Sequence, residues 1–275
     1  MSELIEYLKL LFSTDIVIYS FIVGVLISAS AAALGVVLVL KKYSMIGDGL
    51  SHVSFAAVAV AVATGNSPML FSIPVVMISA FFILRMSESS RIRGDAATAI
   101  FSTAALAVGA IASRGTNVDI ESYLFGSITA LTLSDVILTA AVASATVIVY
   151  IICYNRIFAV TFDETYEKAS DGKPGLYNAL IAALTALVIV VGMRLVGALL
   201  ISALLIFPAL SSMRIFKSFF RVVISSVVIS LFCFIISMTI SIFSDISVSA
   251  CMVLCNLAVY LLLCFISAAA SRSTD

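Results

Sequence analysis

Nine long apolar runs recur along the chain, at residues 16–40, 44–63, 69–86, 96–112, 136–154, 176–193, 196–213, 222–243 and 248–270. Each is about as long as the ~20 residues an α-helix needs to cross a bilayer, and none shows the short apolar–polar alternation of a membrane barrel. The pattern predicts an all-α polytopic membrane protein of about nine transmembrane helices. Two connections are longer than turns. In "RGTNVDIESYLFGSITALTLSD" (114–135) the middle, 123–131, is apolar enough to dip into the membrane without crossing it, as a short re-entrant or half-helix. In "NRIFAVTFDETYEKASDGKPG" (155–175) the charges read as a short amphipathic helix stopped by Gly172, Pro174 and Gly175. The opening "SELIEYLKLLFSTD" carries three acids against one lysine, the wrong flank for a cleaved signal peptide, and reads as an interfacial lead-in. No internal repeat interrupts the series, so residues 1–275 are expected to form a single transmembrane domain.

Composition sharpens the class. With 63% hydrophobic residues, 11% charged and a mean hydropathy of +1.23, the chain is too apolar for a soluble domain. A formal net charge of +0 gives no global field that would favour nucleic acid, so the basic residues matter through placement. With the N-terminus outside, every one of the 15 basic residues except Lys9, Arg114 and Arg194 falls on the inner side, which predicts an N-out, C-in topology. The five cysteines all lie in apolar runs and form no disulfide framework; they read as small hydrophobes. Dense small residues, as in "SASAAALG" (28–35), mark helices that approach closely, because in lipid helix association rests on close packing rather than on burial from water.

The candidate chemistry sits at "YSMIGDGLSHVSF" (43–55), where Asp48 and the single histidine, His52, enter an apolar layer. Four residues apart on a helix, they share one face and are close enough to share a ligand. A carboxylate oxygen and an imidazole nitrogen are a partial set for Zn²⁺, Mn²⁺ or Fe²⁺ and a poor one for Cu⁺. The plainer alternatives are that Asp48 caps the second helix and His52 is hydrogen-bonded packing. Ionisable groups at membrane depth are costly and line polar pathways, which favours function. Two ligands need other protein groups, a partner chain or water to complete them, as suits transit rather than permanent binding.

"GDGLSHVSFAAVAVA" (47–61) resembles the signature of the zinc/manganese/iron-type permeases of ATP-binding-cassette importers. "DIESYLFGSITALTLSD" (119–135), "FDETYEKAS" (162–170) and "LVGALLISALLIFPALSSM" (195–213) are similar to three further segments of that family, in the same order. The resemblance implies a plasma-membrane permease, bacterial or archaeal, that dimerises, receives a divalent metal from an extracytoplasmic binding protein and is driven by a separate cytoplasmic ATPase. The metal is transported rather than held as a cofactor. It assigns Asp48, His52 and Asp245 to the metal path, and Phe162, Asp163, Glu164, Tyr166 and Ser170 to ATPase coupling. "LSHVSFA" is closer to the zinc-type members than to the manganese-type ones. The chain departs from the family at "SDISVSACMV" (244–253), where Ser247 and Ser249 replace a proline and a glycine.

The residues themselves agree that energy comes from elsewhere. A phosphate loop needs G-x-x-x-x-G-K-[ST], and the Gly172–Lys173 pair lacks the earlier glycine and is followed by Pro174. Asp163 and Glu164 are expected to lie outside the apolar core, so that reversing their charge should release a partner and leave the bundle folded. A stand-alone ion-coupled transporter would need several buried carboxylates or histidines; beyond Asp48 and His52 only Asp95, Asp135 and Asp245, near helix ends, qualify. An intramembrane enzyme would need a paired constellation such as H-E-x-x-H, which the sequence lacks.

Overall fold

A computed structural model describes residues 15–88, 94–114, 126, 133–169, 172–244 and 246–272. Among them every regular element is helical: α1 (Asp15–Leu40), α2 (Ile46–Ala63), α3 (Pro68–Glu88), α4 (Gly94–Ala112), α5 (Leu133–Ile152), α6 (Tyr154–Phe162), α7 (Glu164–Ala169), α8 (Pro174–Val196), α9 (Ala198–Ile215), α10 (Phe219–Ser244) and α11 (Val248–Arg272). Eight of these, α1–α5, α8, α10 and α11, are long and apolar enough to cross a membrane. The run expected at 196–213 is α9, whose apolar part, Leu200–Ile215, is shorter than those eight. The expected half-helix at 123–131 lies outside the described residues.

A break at one residue separates α8 from α9. Gly197 ends one helix and opens the next at φ 86°, a backbone region that other L-residues rarely enter, while its N–H still donates to the Met193 carbonyl at 2.8 Å. Where the sequence suggested one amphipathic helix between the fifth and sixth spans, there are two. Asp163 takes an extended backbone (φ −149°, ψ 90°), which ends α6, and its Oδ1 then accepts from the N–H groups of Thr165 and Tyr166 at 3.0 and 2.9 Å to start α7. Pro174, expected as a stop, opens α8, where its missing N–H costs nothing.

α1, α2 and α8 are mostly buried, and the other long helices surround them. α1 has 26 residues, about 39 Å of helix. It packs on α5, α9 and α10 through small residues. Gly35 meets the backbone of Leu205 in α9, and the Phe234 ring of α10 lies over Gly24. Along the same seam Ser226 Oγ donates to the Ala32 carbonyl at 3.2 Å and Ser230 Oγ to the Ser28 carbonyl at 3.1 Å. Hydroxyls and glycines thus replace bulky side chains where association must come from close approach. The two serines that depart from the family pattern have local partners: Ser247 Oγ accepts from the Ala250 N–H at 3.4 Å, and the buried Ser249 Oγ donates to the Val196 carbonyl at 2.6 Å, tying the start of α11 to the end of α8. The five cysteines are free thiols.

Candidate functional site

α2 carries the polar pair. Thirteen of its 18 residues are buried, and the exceptions are Asp48 and His52 in its first half and Val60, Val62 and Ala63 at its far end. The flanking glycines explain the enclosure. Any Cβ on Gly49 would collide with the Thr98 side chain of α4, and one on Gly47 would come within 2.8 Å of Leu205 Cδ1 in α9. Farther along, Gly109 of α4 sits on Phe55 and Ala56. α2 is therefore clamped between two neighbours, with Asp48 and His52 on the side left partly open.

The helix begins after Met45, which makes no side-chain cap, and Asp48 lies inside the first turn, where a negative charge suits the helix dipole. Asp48 is thus not the cap of its helix. Its Oδ2 lies 3.6 Å from His52 Nε2, with side-chain exposures of 37% and 15% respectively. That separation exceeds a hydrogen bond, so the carboxylate and imidazole stand side by side rather than satisfying each other. His52 Nδ1 is buried and has no hydrogen-bond partner among the described residues, a costly condition unless something else is bound there. No group of three or more His, Cys, Asp or Glu side chains gathers among the described residues, so the donor set stays at one oxygen ligand and one nitrogen ligand. Of the other acids weighed from sequence, Asp95 is exposed in the first turn of α4, Asp135 is buried in the first turn of α5, and Asp245 lies outside the described residues.

The second set of candidates sits on α6 and α7, at the end of the bundle that carries Lys41 and Arg85. Here the charges are paired. Lys41 Nζ lies 2.7 Å from Glu164 Oε1 and donates to Asn178 Oδ1 at 2.6 Å, and Asn178 Nδ2 donates back to Glu164 Oε1 at 2.9 Å. Burial alone would raise the Glu164 pKa, but the hydrogen bonds from Lys41 and Asn178 and the charges of Lys41 and Lys168 outweigh it and hold the carboxyl below its usual range. Arg156 Nη1 binds Glu167 Oε1 at 2.9 Å, with the Glu167 side chain only 3% exposed. Asp163 and Glu164 are thus built into the fold as a cap and an ion pair, so their lying outside the apolar core does not by itself make charge reversal harmless to the bundle. Phe162 and Tyr166, at 58% and 67%, and Asp163 are exposed, Glu164 is half-buried, and Ser170 lies outside the described residues. Beside this network a cavity of about 840 Å³ opens between α3, α7 and α8, lined by Phe82, Arg85, Glu164, Lys168 and Asn178. Sequence reading missed Lys41 and Asn178 as partners of Glu164; the one available signal was a lysine directly after an apolar run.

The family described as the ABC 3 transport family matches residues 13–267. The chain belongs to that family. It is 28% identical over 211 residues to the manganese transport system membrane protein MntC of Halalkalibacterium halodurans, covering 76% of this chain and 72% of the relative. It is 24% identical over 254 residues to the high-affinity zinc uptake system membrane protein ZnuB of Haemophilus influenzae, covering 91% and 97%. Among solved structures it is similar to PsaBC from Streptococcus pneumoniae in complex with Fab, at a TM-score of 0.84 and 25% identity over 94% of this chain and 95% of that one. The chain is therefore a multi-pass membrane permease of the metal-importing ABC transporters, a transport component with no nucleotide-binding domain evident in it.

Proposed function

We propose that the chain forms the metal path of an ATP-driven importer in the plasma membrane, working as a homodimer with a cytoplasmic ATPase and an extracytoplasmic metal-binding protein, oriented N-out and C-in. The observation that carries the reading is the Asp48–His52 pair, unbonded and half-open on an otherwise enclosed helix. A divalent cation entering a low-dielectric passage loses water ligands, and an anionic oxygen offsets part of that loss. The imidazole favours a borderline transition metal over magnesium or calcium, whose preferred ligands are oxygens. An incomplete pair, supplemented by water or by the same pair of a second copy, can release what it binds. Asp245 is a further candidate of this path on resemblance alone.

Zinc is the proposed substrate, on the likeness of "LSHVSFA" to zinc-type members; manganese, or iron, is the second reading, favoured by the manganese-named relative. The test is metal uptake by proteoliposomes holding permease, ATPase and binding protein. Asp48→Asn and His52→Ala should each abolish uptake while leaving ATPase association intact, and excess zinc should suppress manganese entry more than the reverse. Near-normal uptake by either variant would return Asp48 and His52 to plain structural roles.

A further inference from the structure

At the end of the bundle that holds Lys41 and Glu164, a cavity of about 500 Å³ opens between α1, α5 and α10, away from the Asp48–His52 pair. Small residues of α1, Ala29 and Ala33, form one wall, and Phe220 and Ile224 of α10 form another. Phe220 and Ile224 are 58% and 48% exposed on a helix long and apolar enough to cross a membrane, so the rim opens to the outside of the bundle. The third wall is α5, where Thr146 and Tyr150 lie one turn apart on the same face. Both are almost wholly buried, and among the described residues neither Thr146 Oγ1 nor the Tyr150 hydroxyl has a hydrogen-bond partner. Hydroxyls left this way in an apolar setting are costly, and the cheapest remedy is an acceptor brought in by a ligand.

Depth narrows the ligand. Tyr150 lies two residues before the end of α5, about 3 Å along the axis, and hence near the boundary of the hydrocarbon layer, where the ester carbonyls of a phospholipid lie. The cavity runs from there toward the bilayer centre, the course of an acyl chain. Charge narrows it further. Arg221, exposed in the first turn of α10 next to Phe220 in the chain, and Lys217, exposed just ahead of that helix, supply two cations at the same end of α10 as the Phe220 wall. We propose that this cavity holds one anionic phospholipid of the adjoining leaflet, its acyl chain between α1, α5 and α10, its ester region at Thr146 and Tyr150, and its phosphate at Arg221 and Lys217.

The experiment is native mass spectrometry of the full chain in detergent, titrated with palmitoyl-oleoyl phosphatidylglycerol or with the matching phosphatidylcholine. The wild-type chain should retain one phosphatidylglycerol in preference to phosphatidylcholine. Ala29→Leu, which fills the acyl course, should lose both lipids. Tyr150→Phe keeps the shape and should weaken retention by about fivefold, one net hydrogen bond. Lys217→Gln and Arg221→Gln should each cut the preference for phosphatidylglycerol by about fivefold. Should Ala29→Leu fail to fold, the Tyr150 and the two charge variants carry the test. Equal retention of the two lipids by the wild-type chain, undiminished retention by a folded Ala29→Leu, or an unchanged preference in the charge variants would each overturn the proposal.

Discussion

The two polar regions of the permease are opposites in how they treat charge. At the α6–α7 end each carboxylate has a structural partner: Lys41 and Asn178 hold Glu164, Arg156 holds Glu167, and Asp163 caps a helix. On α2 the carboxylate and imidazole lie 3.6 Å apart without bonding, and His52 Nδ1 has no partner among the described residues. Removing one partner of a buried pair is expensive, so closed networks such as the first belong to architecture. A membrane helix that tolerates open polar groups is bearing a cost that packing does not explain. The open pair on α2 and the closed network at the α6–α7 end are thus read as transport and support.

The sharpest way to break this contrast is the uptake experiment. Asp48→Asn and His52→Ala should remove transport altogether, yet shift stability by no more than about 1 kcal/mol, since neither side chain has a hydrogen-bond partner among the described residues. A variant that loses transport only because it unfolds would make α2 another supporting element.

Next in size is a change that touches no polar group. Gly35 of α1 meets the backbone of Leu205, and backbone cannot swing aside, so Gly35→Ala should destabilise by about 3 kcal/mol. Gly47→Ala presses on the tip of the flexible Leu205 side chain and meets Ser202 at ordinary contact distance, so it should cost less than about 1 kcal/mol. Thermal unfolding in one detergent compares the two; equal losses would mean that these glycines do not set the helix spacing around the site.

Much of this contrast is legible in the amino-acid sequence. Eight of the nine apolar runs correspond to membrane-length helices, because a run of about 20 apolar residues in lipid has few alternatives to a helix. The i, i+4 spacing of Asp48 and His52 places both on one face of α2. Partners brought together across the chain are not legible in this way: Lys41 with Glu164 is separated by 123 positions, and Lys41 with Asn178 by 137. Local charge alone makes Asp163 and Glu164 look free. The split into α6 and α7 depends on one extended residue, Asp163, that also fits a helix-interior reading by composition.

That correction changes how ATPase coupling is tested. Charge reversal at Glu164 would set a lysine against Lys41, which is 7% exposed, and damage the bundle before it reported on a partner. Tyr166, at 67% exposed, is the better probe. Tyr166→Ala should weaken ATPase association far more than it lowers the unfolding temperature. Glu164→Gln should do the reverse, costing about 1–2 kcal/mol of stability because Lys41 keeps only neutral acceptors. If Tyr166→Ala binds the ATPase as the wild type does, the exposed face of α7 is not the docking surface.

The smallest effect is the pH dependence of the Glu164 clasp, and its sign follows from the direction of the shift. The folded-state carboxyl is held below its usual range, so the unfolded chain binds this proton more readily than the folded one. The stabilisation is then fully present above the ordinary glutamate value of about 4.3 and is lost as pH falls through the lower folded value. Between pH 8 and pH 5 the wild type should therefore keep a constant stability margin over Glu164→Gln, and the margin should close only in more acid solution. Because the Glu164 side chain is 38% exposed, solvent screens the pair and the margin is modest, so the comparison has to be made between the two proteins at each pH rather than on either alone. Hydrogen exchange at the α7 amides gives the local readout. A margin that vanishes by pH 6, or that persists unchanged well below pH 4, would mean that the Lys41–Glu164 pair does not hold α7 to the end of α1.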